Sequence, residues 1–157
     1  MPNWCEGCIK VRGKPTNIVN FVKNALTVYD YVDFNVRKKN DEGIDVEETD
    51  HDVHFDIKET THIEGTRRHF VEKNYVWIDL KKEVFTICMP MRAAWRIDSE
   101  PLVILAQKYG VDIRVNGYEM GMEFNQEIII ENGEVVKAEV IEFGDYRWEC
   151  PMPTLGG

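Results

Sequence analysis

The hydrophobic pattern divides the chain into short segments of changing period. Cys8-Ile9-Lys10-Val11-Arg12 alternates and stops at Gly13, the pattern of a half-buried strand. From Thr16, a natural N-cap, the period lengthens: Ile18, Val19, Phe21, Val22, Ala25 and Leu26 share one helical face. Residues 38–52, KKNDEGIDVEETDHD, are polar and densely charged and hold Gly43, which predicts a loop or irregular excursion. Val53, Phe55 and Ile57 then alternate with His54, Asp56 and Lys58 as in a half-solvated strand. Thr66–Val71 and Tyr75–Leu80 predict two more strands, with Glu72-Lys73-Asn74 as the turn between them, and Val84–Met89 is a short apolar run closed by Pro90.

The second helix has clear end signals. Ser99 is its predicted cap, Glu100 lies near its positive end, and Pro101 falls in the first turn. Leu102, Val103, Leu105 and Ala106 supply the buried face, Tyr109 closes the last turn, and Gly110 suits the left-handed position that follows. Val111–Val115 alternates as a strand, and residues 121–144 predict a hairpin, since Asn132-Gly133 is the dipeptide a two-residue type I′ turn favours. Residues 145–157 form a Pro/Gly-rich tail whose predicted anchor is Trp148. Two helices separated by strands predict an α+β fold of the ferredoxin-like, split βαβ type. Its antiparallel sheet would carry two helices on one face, plus extra strands and a hairpin. No repeat or linker divides residues 1–157, so one domain is expected, with 38–80 as an insertion holding an acidic loop.

Charge sharpens this picture. The formal net charge is -9, distributed as +4 over residues 1–40, -9 over 41–64, +3 over 65–117 and -7 over 118–157. That balance disfavours direct binding to nucleic acid or anionic lipid and suits a basic protein partner. The residues expected to meet it are the acidic set Glu47, Glu48, Asp50, Asp52, Glu119 and Glu123. No run approaches the roughly 20 apolar residues of a membrane span, and no basic-then-apolar leader opens the chain. Four cysteines without secretory features fit cytosolic thiols, so a cytoplasmic location is expected.

The candidate chemistry is sparse. Cys5-Glu6-Gly7-Cys8 is a C-x-x-C, but in an extended strand its thiols point to opposite faces, Cys8 with Lys10 and Arg12, Cys5 with Ile9. They converge on a metal only if Glu6-Gly7 turn, and a structural zinc then needs further ligands, with Cys150 or a histidine as candidates. A zinc-stabilised module or small metal-dependent enzyme using Cys5 and Cys8 is therefore the alternative. Cys88, in an apolar run, reads as a core thiol. His51 and His54, flanked by Asp50, Asp52 and Asp56, would share a face in a helix but diverge in the predicted strand. Trp4, Trp77, Trp95 and Trp148 read as core or half-core residues. No G-x-S-x-G, phosphate-cradling glycine loop or H-E-x-x-H is present, and no catalytic residue is assigned.

Three stretches carry a family resemblance: Met1–Cys5 leading into the strand that ends at Gly13; Ala94-Trp95 with Ser99-Glu100-Pro101-Leu102, Leu105-Ala106 and Tyr109; and Tyr118–Phe124 followed by strand, Asn132-Gly133 and strand. Together they resemble the YubB-like ferredoxin-like family of phages, plasmids and other mobile elements, over about residues 1–26 and 84–143. Residues 38–80, Cys8 and the tail depart from it. The resemblance implies a ferredoxin-like domain of mobile-element origin, with no established activity. The expected function is a non-catalytic phage or mobile-element accessory protein, cytosolic in its host. It would act by protein–protein binding, as an acidic, anti-CRISPR-like inhibitor of a basic nuclease or other nucleic-acid-handling defence protein.

Overall fold

The computed structural model describes residues 1–30, 35–36 and 43–157. Along the chain run β1 (Trp4–Gly13), α1 (Pro15–Ala25), β2 (Leu26–Asp30), β3 (Asn35–Val36), β4 (Ile44–Glu48), β5 (Asp52–Ile57), β6 (Thr61–Ile63), β7 (His69–Val71) and β8 (Asn74–Asp79). There follow β9 (Phe85–Ala94), α2 (Ser99–Tyr109), β10 (Asp112–Glu119), β11 (Phe124–Glu131), β12 (Glu134–Glu142) and α3 (Tyr146–Glu149). The described strands form two sheets, ordered β12-β11-β10-β1-β9-β7-β6-β2-β3 and β4-β5-β8. Every described pairing is antiparallel. The fold is α+β.

β1 is the centre of the large sheet. It pairs with β9 from Trp4 to Gly13 on one side and with β10 from Glu6 to Arg12 on the other. Its alternation behaves as the sequence predicts: Cys5, Ile9 and Val11 are buried, while Lys10 and Arg12 are exposed. Ile87, Met89, Met91 and Ala93 of β9 and Ile113 and Val115 of β10 point the same way. Over this face lies α1, burying Ile18, Val19, Phe21, Val22 and Ala25, and α2, burying Leu102, Leu105 and Ala106. Phe21 meets Tyr109 edge-on at 5.6 Å, joining the helices. The small sheet adds Val53, Phe55, Ile57, Val76 and Ile78 to the same core. Fully burying one such side chain stabilises the fold by roughly 1.5–3 kcal/mol.

Gly7 lies inside β1 and forms no turn. It pairs with Gly117, and a Cβ on Gly7 would sit 1.9 Å from the Asn116 carbonyl oxygen. Its role is close backbone approach, which is why the C-x-x-C stays extended. The hairpin at Asn132-Gly133 matches its prediction, with φ of 52° and 75°, as does Gly110, with φ 64° and ψ 44°.

Several expectations are corrected. Ile44–Glu48 is a strand, because Ile44 and Val46 alternate with acidic residues and pair with Ile57 and Phe55; residues 31–34 and 37–42 lie outside the described residues. The segment around Thr66–Val71 contributes only the short β7, and β7 and β8 join different sheets instead of forming a hairpin. Lys14, not Thr16, is the N-cap of α1, since Pro15 opens the helix. Asp98, not Ser99, precedes α2. The tail is anchored by Tyr146 and Cys150, which are buried, while Trp148 is 86% exposed. Backbone bonds between Trp4 and Gly157 tie the tail to the start of β1. Cys88 is exposed, because the alternation of β9 turns it to the side opposite Ile87 and Met89.

His69 fastens the entry to α2: its Nε2 accepts the Asp98 N–H at 2.9 Å. Burial lowers its pKa, with the Asp98 carboxylate opposing that shift and His62 adding to it. The folded value lies below the unfolded one. The neutral ring's contribution is therefore present above the unfolded value of about 6.5 and is lost as pH falls below it and through the lower folded value.

Two outcomes are expected. Gly7→Ala lowers stability by about 1–3 kcal/mol or more through overpacking, measured by urea unfolding, whereas Gly144→Ala, with nothing within 4 Å of its Cβ, stays near wild type. Between about pH 7.5 and 5.5 the wild-type urea midpoint falls more than that of His69→Gln, whose amide oxygen accepts the same N–H without titrating. Equal pH slopes would show that His69 does not hold α2 this way.

Candidate binding surfaces

The acidic block folds into the small sheet, and register decides which carboxylates face outward. Asp45 pairs with Asp56, Glu47 with His54, and Asp52 with Asp79; across β8, His54 stands opposite Trp77 and Asp56 opposite Tyr75. These positions alternate with the buried Val53, Phe55, Ile57, Val76 and Ile78, so they share the outer face. That face presents Asp45, Glu47, Asp52, Asp56 and Asp79 around two aromatic side chains, Tyr75 (61% exposed) and Trp77 (46%). Lys58 counters Asp45.

The rings and carboxylates are mutually fixed. The Trp77 indole donates to Asp52 Oδ2 at 3.1 Å, His54 Nε2 lies 3.2 Å from the same oxygen, and the Tyr75 hydroxyl bonds His54 Nδ1. Thr49 closes the hairpin tip: its hydroxyl donates to Asp52 Oδ1 at 2.6 Å and accepts the His51 and Asp52 N–H groups at 3.1 Å. Together these bonds hold the Asp52 carboxyl below the usual carboxylate range, the Thr49 hydroxyl contributing most, followed by Trp77. Trp77 also packs edge-on to Phe85 at 5.6 Å. The surface is therefore ordered before any partner arrives, which cuts the entropy cost of binding.

The predicted acidic set does not form one patch. Glu47 and Asp52 lie on this face, and Asp50 is exposed at its tip. Glu48 lies on the opposite side and pairs with Lys23 of α1. Glu119 is corrected: it is fully buried, its two oxygens accepting the Gly121 and Met122 N–H groups at 2.8 and 2.7 Å, and it shapes the turn between β10 and β11. Glu123 is exposed in that turn with φ 59°. That turn adjoins Asn3, at the N-terminal end of β1. The hairpin tip, bonded through His51 to Leu80, lies toward Phe85 and Gly13 at the other end. The two groups are separated by about the length of β1, roughly 30 Å.

Cys5, Cys8 and Cys150 do not share one site; Cys8 instead hydrogen-bonds Cys88 on the outer face of the sheet. Cys5 faces the helices and approaches Gln126 Oε1 at 3.9 Å; Cys8 faces away, opposite Pro90. Cys150 Sγ lies 3.4 Å from Asn125 Oδ1, and Asn125 and Gln126 are adjacent on β11, so they point to opposite faces. The set Cys5, Cys8 and Cys150 is thus split across the sheet and does not form one ligand set. No group of three metal-ligating side chains occurs among the described residues. Burial, with Glu119 and Glu6 adding to it, pushes the Cys5 thiol up to about 12.

Sequence reasoning missed Tyr75, Trp77 and Asp79 as parts of the acidic face. Their signal is present: in Asn74–Asp79 the aromatic positions alternate with Val76 and Ile78, so one of the two apolar sets must face water. Among the described residues no helix is long and apolar enough to cross a membrane. A scan against family models finds no match to this chain, and searches of curated proteins and of solved structures find none either.

Alkylation tests the thiol placement. Native protein treated with iodoacetamide at about pH 8 should label at Cys88 while Cys5 and Cys150 stay protected until denaturant is added, as read by peptide mass spectrometry. Labelling of Cys5 as fast as Cys88 would contradict the orientation of β1.

Proposed function

We propose that this chain is a non-catalytic, ferredoxin-like binding module that docks its acidic, aromatic face on a basic protein. The observation that carries this reading is the outer face of β4-β5-β8, where carboxylates ring Tyr75 and Trp77. Exposed aromatic anchors within a charged rim have the composition of binding hot spots, and Tyr and Trp add cation–π affinity for Arg and Lys. A surrounding negative field speeds encounter with a basic groove and competes there with phosphate. The ferredoxin-like build is supported by the run β10-β1-β9 and by α1 and α2 on one face. On that reading β6 and β7 are inserted between β9 and β2, and β11 and β12 are added outside β10.

The resemblance to a mobile-element family directs the choice of partner. A host nucleic-acid-handling protein, such as a CRISPR nuclease or another defence factor in the host cytosol, has the basic groove this face suits. Inhibition by occupying that groove needs no catalytic group on this chain.

The test is calorimetric titration against such nucleases. Affinity should fall steeply between about 50 and 200 mM salt. Trp77→Ala should cost about 30-fold as a hot-spot truncation, and Glu47→Lys combined with Asp50→Lys should cost at least about tenfold. Glu123→Lys, at the far end of the molecule, should change little. Salt-insensitive binding, or binding indifferent to Trp77 and Glu47, would sink the proposal.

A further inference from the structure

At the end of the large sheet away from the hairpin tip, where the exposed Glu123 turn also lies, one corner has the opposite chemistry. A cavity of about 240 Å³ there is lined by Arg67, Arg68, His69, Ala94, Trp95, Arg96 and Asp98. Its walls carry three guanidinium groups against one carboxylate. Arg67 and Arg68 are exposed, and Arg96 meets Asp98 at 3.4 Å with most of its side chain in water. Arg68 lies 5.9 Å from the centroid of the Trp4 ring, so an aromatic face positions one of these cations. On the same ring, at 4.5 Å, lies Arg92, which is paired with Glu72 at 2.6 Å and is not counted among the cavity's cations.

Trp95 is the anomaly. It is 57% exposed and has φ 70°, a left-handed conformation in which a bulky residue is an outlier. Two backbone bonds hold it there: its N–H donates to Asn3 O at 2.8 Å, and the Arg96 N–H donates to Ala94 O at 2.9 Å. Strain of this kind persists only where the surroundings over-determine it, and it clusters at ligand sites. Here it keeps a large aromatic ring out of the core and beside the arginines.

We infer that the Arg67–Arg68–Trp95–Arg96 surface binds single-stranded nucleic acid, with phosphates on the guanidinium groups and a base stacked on Trp95. An acidic peptide would use the arginines but has no need of an exposed indole, whereas every base has a π-face to stack. The whole-chain charge of -9 is not decisive. The acidic hairpin tip is roughly 30 Å away, about four times the screening length of about 8 Å at physiological salt. Local charge therefore governs this end, where the three arginines outnumber Asp98 in the cavity and Glu123 on the neighbouring turn. The inference is independent of the acidic face proposed above, although a chain holding a basic nuclease at one end and a strand at the other would use both.

The experiment is fluorescence anisotropy of a labelled oligothymidylate of about 12 nucleotides, chosen because stacking tolerates any base. Trp95→Gly is the central variant: glycine accepts φ 70° without strain, so the fold is kept or stabilised while the ring is removed. Its affinity should fall about tenfold or more, and Trp95→Phe should recover part of that loss. Arg67→Glu with Arg68→Glu should weaken binding further and reduce the slope of log affinity against log salt by about 1.4, two phosphate contacts at about 0.7 each. Glu47→Lys with Asp50→Lys should leave oligonucleotide affinity within about twofold, since that tip is screened. The inference is overturned by absence of saturable binding, by an unchanged affinity in Trp95→Gly, or by equal affinity for polyglutamate or for duplex of the same length.

Discussion

One strand, hydrogen-bonded along both edges, fixes the geometry of the rest. β1 pairs with β9 and β10 over nearly its whole length, and both partners are antiparallel to it. With the period fixed at two, a single choice, Ile9 and Val11 inward, assigns a face to each paired side chain of β9 and β10. It places Cys5 under the helices, where Gln126 approaches it while clamping Ile97 by two hydrogen bonds of 2.7 and 3.1 Å. It places Cys8, Lys10 and Arg12 on the other face. Slipping β1 by one residue would bury both Lys10 and Arg12 and expose Ile9 and Val11. The Gly7–Gly117 pair reinforces the register, since each glycine stands where a Cβ would collide: Gly7 with the Asn116 carbonyl, Gly117 with Cys5 and Ile97.

Much of this was legible because it is local. The alternation of β1, the apolar face of α1, the left-handed Gly110 and the Asn132-Gly133 turn are written in a few neighbouring residues. What the sequence hid depends on pairing across long separations. β4 looked like a charged loop because only Ile44 and Val46 mark it apolar; it becomes a strand by pairing with β5. Thr66–Val71 and Tyr75–Leu80 read as a hairpin, but the chain leaves one sheet at Val71 and enters another at Asn74, a change no local turn signal records. Glu119 looked like one more surface acid, yet two backbone N–H groups hold it in a buried turn. Trp4 is half-buried against Phe70, as the half-core reading expects, but Trp77, Trp95 and Trp148 are exposed, a difference the sequence hid because hydrophobicity alone carries no direction.

The candidate surface was legible in charge and not in shape. Counting charges located the acidic block, while register separated Glu47 and Asp52 from Glu48 and introduced Tyr75 and Trp77 between the carboxylates. The distinction matters energetically. Carboxylates at a water-exposed face contribute mainly rate and specificity, and ion pairs there are worth about 0–1 kcal/mol each. An aromatic ring that becomes buried in a partner contributes more. The network joining Tyr75, His54, Asp52 and Trp77 lets two rings remain solvent-facing without collapsing onto their neighbours.

Local preference and global fold disagree at several surface positions, Trp148 in the tail among them, and two of these positions lie at the charged ends. Trp77 is an apolar residue turned outward in a strand whose alternation is otherwise satisfied. Trp95 is held in a backbone conformation that its Cβ disfavours. Trp77 gains an edge contact with Phe85 and a bond to Asp52, yet full burial would be worth more to either ring than its exposed position. Sequences that fold well agree with themselves at most levels, and exceptions that persist mark sites under another constraint. The two exceptions lie at opposite ends of β1, one among carboxylates and one among guanidinium groups. Each indole stands in water beside charge of one sign, and that pairing of an exposed ring with local charge is the physical ground on which both proposals rest.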